Sequence, residues 1–193
     1  MIVVLDPERA GAHLAQGLCR APAAGPRCAR GASPGHAGST TTARTYQRIR
    51  PARARCPHCH VTQVLPPADC QPRSGYSTGT IGQALLGHVQ GRGHRPIAAA
   101  LGPPATTVRD WLRKSRSGAD TLDRHAATRL ADLDRDVLAG LLQQSTRLAD
   151  ALQALAAAAH VALSRRLVPP QPTPWPLMAQ LAGGRLITPA RPT

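Results

Sequence analysis

The chain of 193 residues contains no Phe, and its aromatic residues are Tyr46, Tyr76, Trp111 and Trp175 alone. Much of the apolar fraction is Ala, which buries little area per residue. Together these scarcities exclude one large aromatic-rich core and predict a modest helical one. Long apolar runs are missing too. Nothing approaches the roughly 18–20 apolar residues of a membrane-spanning helix. The opening "MIVVLDPER" has an apolar run of four without a basic lead, so it does not read as a signal peptide. The expected location is therefore cytoplasmic, nucleoid-associated when bound to DNA. There, five Cys are thiols or metal ligands rather than disulfides.

Acidic residues are also few, with 10 Asp+Glu against 24 Lys+Arg, and Glu8 is the one Glu. A retroviral-type transposase core needs three metal-binding carboxylates on a sheet-rich domain. Here the Asp residues fall mostly on predicted helices, and no run of alternating strands accommodates such a site. Neither a nucleotide-binding Gly loop nor a convincing nucleophile–His pair is present. The expectation is a protein that is not an enzyme.

What the chain has in abundance is Arg. The formal charge is +14, and Lys114 is the one Lys. Residues 1–118 hold 16 Lys+Arg against 4 Asp+Glu, whereas residues 119–193 hold 8 against 6. A GC-rich coding bias explains Arg in place of Lys, but not the missing acids in the front. A basic front and a near-neutral back predict a nucleic-acid-binding part followed by a packing or assembly part.

Periodicity divides the chain further. Residues 2–5 read as a short strand, and Asp6 and Pro7 open a short helix to about residue 16. Residues 17–45 lack alternation, helical stripe and large apolar side chains, and predict disorder. A frameshift there would leave the same texture, which the nucleotide sequence decides. "RTYQRIRPARARC" carries a period-two hint anchored by Tyr46 and Ile49, and "VTQVLPP" reads as a returning strand. Residues 80–93 predict a helix with Ile81, Leu85 and Val89 on one stripe. Two short helices follow, separated by Gly102-Pro103-Pro104. Residues 121–167 read as helical for most of their length, with Leu130, Leu133, Val137 and Leu141, then Leu148, Leu152, Leu155 and Ala159, in helical spacing. "VPPQPTPWP" stops the helix, and a last short one runs from Pro176 to Leu181.

The sharpest pattern is "HRPIAAALGPPATTVRDWLRK". A helix-turn-helix needs a small residue where its helices cross (Ala98), a residue tolerant of positive φ four positions on (Gly102), and an apolar residue six positions later (Val108). Ile97, Leu101 and Trp111 complete the inner face, and Thr106 or Thr107 would cap the second helix. The outward positions are then Ala105, Thr106, Arg109, Asp110 and Arg113. In this geometry the second helix enters the major groove by its N-terminal end. Arg109 and Arg113 suit guanine O6/N7, and Asp110 would accept from cytosine N4 or hold Arg113 in place. Thr106 suits a phosphate or a thymine methyl, Arg92, His94, Arg95, Lys114 and Arg116 at helix ends suit phosphates, and Thr107 is a further DNA-binding candidate. The alternative is an ordinary helical hairpin with solvated charges.

With "LDPERA", "RPARARCPHCHVTQVLPP", the helix-turn-helix segment and the ending "PWPLMAQLAGGRLI" in this order, the chain resembles an uncharacterised actinobacterial family. Its members are short proteins pairing a zinc ribbon with a helix-turn-helix. They are similar to the DNA-binding N-terminal regions of insertion-sequence transposases. The resemblance spans most of the chain except about residues 17–45, and it implies a DNA-binding role without an established activity.

Cys56 and Cys59 have the spacing of one zinc knuckle, and a ribbon gathers two such knuckles onto one Zn2+. The family-like pattern would place the other shortly after residue 17, where Cys19, Cys28 and His36 stand without knuckle spacing. His60 and Cys70 are further candidate ligands, and His58 lies inside the knuckle. Either the site is improvised from these residues or the Cys56–Cys59 knuckle is an orphan with free thiols.

The resulting expectation is a mainly α fold: a helix-turn-helix three-helix unit with a C-terminal helical segment, preceded by a small, incomplete zinc-ribbon-like β region. Residues 1–75 form the degenerate ribbon-like region, 76–118 the DNA-binding unit, and 119–193 a helical region. Residues 121–167 would dimerise as a helical pair, or else the Leu stripe packs back on residues 80–112. The expected partner is DNA, for a regulator or a transposase accessory fragment, and a helical assembly module is the further alternative.

Overall fold

The computed structural model describes five strand segments by their backbone, together with residues 67, 69–71, 74–170, 172–184 and 186–187. Strand β1 (Ala32–Ser33) pairs with β4 (Ala52–Arg55), and β4 pairs antiparallel with β5 (Thr62–Leu65), placing Arg55 opposite Thr62. Strands β2 (Gly38–Thr42) and β3 (Thr45–Ile49) make a separate hairpin. β1 and β2 fall within the segment whose sequence lacks periodicity. The β-branched run Thr40, Thr41, Thr42 is the local reason for β2. The returning strand expected over 61–67 is present in its central part, as β5. The connection from β4 to β5 carries Cys56 and Cys59 and lies outside the described residues. So do Cys19, Cys28, His36, His58, His60, and the strand and helix expected over 2–16.

Seven helices follow among the described residues, and this body is mainly α-helical. Helix α1 (Thr78–Val89) starts because Ser77 is extended and its Oγ accepts from the Thr80 amide at 3.1 Å. It buries Ile81 and Leu85, one turn apart, completely. Gly91 at φ +86 ends it. Helices α2 (His94–Leu101) and α3 (Ala105–Ser117) follow, and Gly118 alone joins α3 to α4 (Ala119–Leu133).

Residues 121–167 hold two breaks. Asp134 is extended and caps the short α5 (Arg135–Ala139), accepting from the amides of Asp136 and Val137. Thr146 caps α6 (Arg147–Ser164). Both caps were available in the sequence, but the apolar spacing through Val137 and Leu141 masks them. Helices α4 and α6 run parallel, as the ion pairs at their ends show. Arg147, the first residue of α6, reaches Asp120 and Asp123 at the start of α4, at 3.8 and 3.5 Å. Arg165, just past α6, donates to the carbonyl of Leu133, the last residue of α4, at 2.6 Å and pairs with Asp134. The return between them uses α5 and residues 140–146. Burial and the neighbouring Asp150 push Asp123 above the usual carboxylate range, while Arg147 opposes the rise.

The Leu stripe of this region is mostly spent inside the chain. Leu122, Ala126 and Leu130 on α4 and Leu148, Leu152 and Leu155 on α6 are buried in one core with Ile81, Val108 and Trp111. Val137, Leu142 and Leu167 remain exposed. Helix α7 (Trp175–Leu181) closes the core, with Gly183 and Gly184 at positive φ behind it. The expected last helix was 176–181, so the agreement is within one residue. Gln71, nearly fully buried, then brackets the segment after α7. Its Nε2 donates to the Gly184 carbonyl at 3.4 Å, and its Oε1 accepts from the Leu186 amide at 3.2 Å. The core therefore extends continuously from Ile81 to Ile187. No helix among the described residues is long and apolar enough to cross a membrane.

Candidate nucleic-acid interface

Helices α2 and α3 pack against each other through a small set of apolar residues. Ile97 and Val108 are fully buried, and Ala98 and Trp111 nearly so. Gly102 adopts φ +92, and its amide donates to the Ala98 carbonyl at 2.8 Å. A Cβ is strained in that conformation, which is why Gly occupies the turn. The edge of one ring of the Tyr76–Trp111 pair meets the face of the other at 5.1 Å, tying α3 to the segment before α1.

One expectation fails locally. Neither Thr106 nor Thr107 caps α3. Pro104 occupies the capping position with no side-chain hydrogen bond, and the helix begins at Ala105. The consecutive Pro103 and Pro104 pre-set the backbone, so the helix starts one residue before Thr106. The first-turn amides of α3 thus meet no side-chain oxygen. The same holds for α2, whose cap is Gly93. Helices α1, α5 and α6 each carry a side-chain cap, whereas α4 and α7, like α2 and α3, do not. The first turns of α2 and α3 also hold no acid. Their positive dipole ends therefore meet no acidic side chain in the first turn.

Basic residues lie along both helices, some beside these ends and others toward the far end of α3, where Lys114 and Arg116 fall in the last turn. Arg92 lies in the turn before α2, His94 and Arg95 in its first turn, and Arg109, Arg113, Lys114 and Arg116 along α3. Thr106 is exposed at the start of α3, and Thr107 is half-buried. Residues 74–118 contain one acid, Asp110. Its Oδ1 accepts from Arg113 Nη2 at 2.7 Å, and its Oδ2 faces Lys114 Nζ at 2.7 Å. The hydrogen bonds from Lys114 and Arg113 hold the Asp110 carboxyl below its usual range. The Arg109 side chain, one residue earlier, has no hydrogen-bond or ion-pair partner among the described residues. Arg116 folds back, its Nε donating to the Leu112 carbonyl at 3.3 Å. Arg92 lies across the bare backbone of Gly87, where a Cβ would stand 2.8 Å from Nη2. Nothing in the sequence distinguishes Gly87 as that seat.

Among the described residues no cluster of three or more His, Cys, Asp or Glu side chains is placed to hold a metal ion. Cys70 is the one expected ligand within them. It is buried against the helical body, its backbone bridged to Ser77. Cys56, Cys59, Cys19, Cys28 and His60 lie outside them. Comparison with protein-family models, with curated proteins and with solved structures returned no match, so the reading of this surface rests on its own geometry and charge.

Proposed function

We propose that the chain is a DNA-binding protein of helix-turn-helix type, in which α2, the 102–104 turn and α3 form the motif. In this reading α3 enters the major groove N-terminus first. The observation that carries it is a coincidence of two independent features. The inner face has the small, turn and apolar residues in one register, Ala98, Gly102 and Val108. The outer face has first turns without a side-chain cap or an acid, with Arg92, His94, Arg95 and Arg109 near them and Arg113, Lys114 and Arg116 further along α3.

Arg109 then reads a base edge, being unencumbered and close to the α3 N-terminus, and Arg92, Arg95, Lys114 and Arg116 contact phosphates. Thr106 and His94 add contacts at the helix starts. The protein acts by binding, as a regulator or a transposase-related accessory chain without its own catalytic core. A gel shift on random duplex DNA across salt tests this. The expected result is binding at low salt that weakens steeply as salt rises. No binding at low salt overturns the reading.

An assembly role complements it. The exposed Val137, Leu142 and Leu167 are large apolar side chains that a second copy could cover. Sedimentation of the wild type beside a variant with all three changed to Ser tests this: an unchanged oligomeric state removes a dimer through 121–167.

A further inference from the structure

We infer that Asp110, resting on the DNA-binding reading above, is a positioning residue that sets the sequence selectivity of α3. The two basic side chains nearest it are not equivalent to Arg109. Arg113 is 71% exposed and Lys114 47% exposed, yet both converge on one carboxylate. The spacing dictates this, because side chains three and four residues apart lie on one helical face. Arg113 commits one nitrogen, Nη2, and keeps its remaining N–H donors for a ligand. Its long, flexible stem is thereby held in one direction before any DNA arrives. Ordering a rotamer-rich side chain at an interface normally opposes binding, and the pair with Asp110 offsets part of that cost in advance.

The carboxylate has a second effect. It reduces the charge of the Asp110–Arg113–Lys114 group from +2 to +1. Random duplex is held through phosphate charge, so this reduction weakens binding to any sequence. A base pair that offers acceptors to the held Arg113 recovers the interaction, and one that does not cannot. Asp110 thus lowers general affinity while sharpening choice. The ion pairs are exposed, so their loss affects stability little. Variants at this position therefore report on binding rather than folding.

The experiment is selection from a randomised duplex library by the full-length wild type, Asp110→Ala and Arg113→Ala, with thermal melts of all three. Direct titration of random duplex across salt accompanies it. Asp110→Ala is expected to bind random duplex more tightly, with a salt slope steeper by about one. It is also expected to lose about fivefold or more of the preference at the same base pair that Arg113→Ala loses. Two results overturn the inference: Asp110→Ala selects the wild-type motif unchanged, or the base pair it relaxes differs from that of Arg113→Ala. Wild type that binds random duplex but enriches no motif also removes it, leaving DNA binding intact. Wild type that binds no DNA removes the DNA-binding reading itself.

Discussion

The indole of Trp175 lies on the bare backbone of Gly82, so close that a Cβ there would stand 2.1 Å from the ring. A helix interior normally favours Ala over Gly by about 1 kcal/mol. Here the contact reverses the preference. The ring is buried in the core and cannot swing away. Gly82→Ala is expected to destabilise the protein by about 1–3 kcal/mol, the cost of overpacking. A urea melt measures it, and unchanged or increased stability would contradict the contact.

Gly87 makes the opposite case on the same helix. The atoms nearest a Cβ there belong to the guanidinium of Arg92, the far end of a flexible side chain. Gly87→Ala is expected to raise stability by up to about 1 kcal/mol and to displace Arg92. If Arg92 holds a phosphate, the same variant weakens binding to random duplex even as its melting temperature rises.

Gln71 makes two hydrogen bonds to the segment after α7. Gln71→Ala leaves the Gly184 carbonyl and the Leu186 amide without that partner in a buried setting. The expected loss is about 1–3 kcal/mol. Hydrogen exchange at Leu186 is expected to accelerate more than exchange within α6.

His125 is held below the usual imidazole range, chiefly by burial and then by Arg129, with a backbone hydrogen bond at Leu181 opposing. Its buried Nε2 has no partner among the described residues. The folded state therefore binds a proton less readily than the unfolded state. Its contribution to stability is present above about pH 6.5, the unfolded value, and is lost as pH falls below that. Melting temperature is expected to drop between pH 7.5 and 5.5, and His125→Gln to flatten part of that slope. An identical slope in the variant would assign the effect elsewhere.

Arg109→Ala is expected to weaken binding to a selected site by about 1–3 kcal/mol while changing affinity for random duplex far less. Equal losses on both would leave Arg109 a phosphate contact rather than a base reader.

Local rules made part of this legible in the sequence. Ala98, Gly102 and Val108 could be placed because a tight turn fixes their spacing. The stop at 168–176 could be read because Pro cannot continue a helix. The start of α3 was misread because Thr106 looks like a cap, whereas the two preceding Pro residues impose the start. Gln71 and the Trp175–Gly82 contact were illegible for a different reason. Each joins residues about a hundred positions apart through a single side chain, and no periodicity records such a pairing. The parallel setting of α4 and α6 hides similarly, since one continuous apolar spacing crosses both breaks.

The seat of Trp175 on Gly82 carries a cost in time during synthesis. Helix α1 and the two helices after it leave the ribosome long before the residues that cover them. At about 5–20 residues per second, the roughly hundred residues between Gly82 and Ile187 take on the order of 5–20 s. For that interval the nascent α1–α3 unit presents an uncovered apolar face. Its last covering side chains, Trp175 to Ile187, follow it by about a hundred residues.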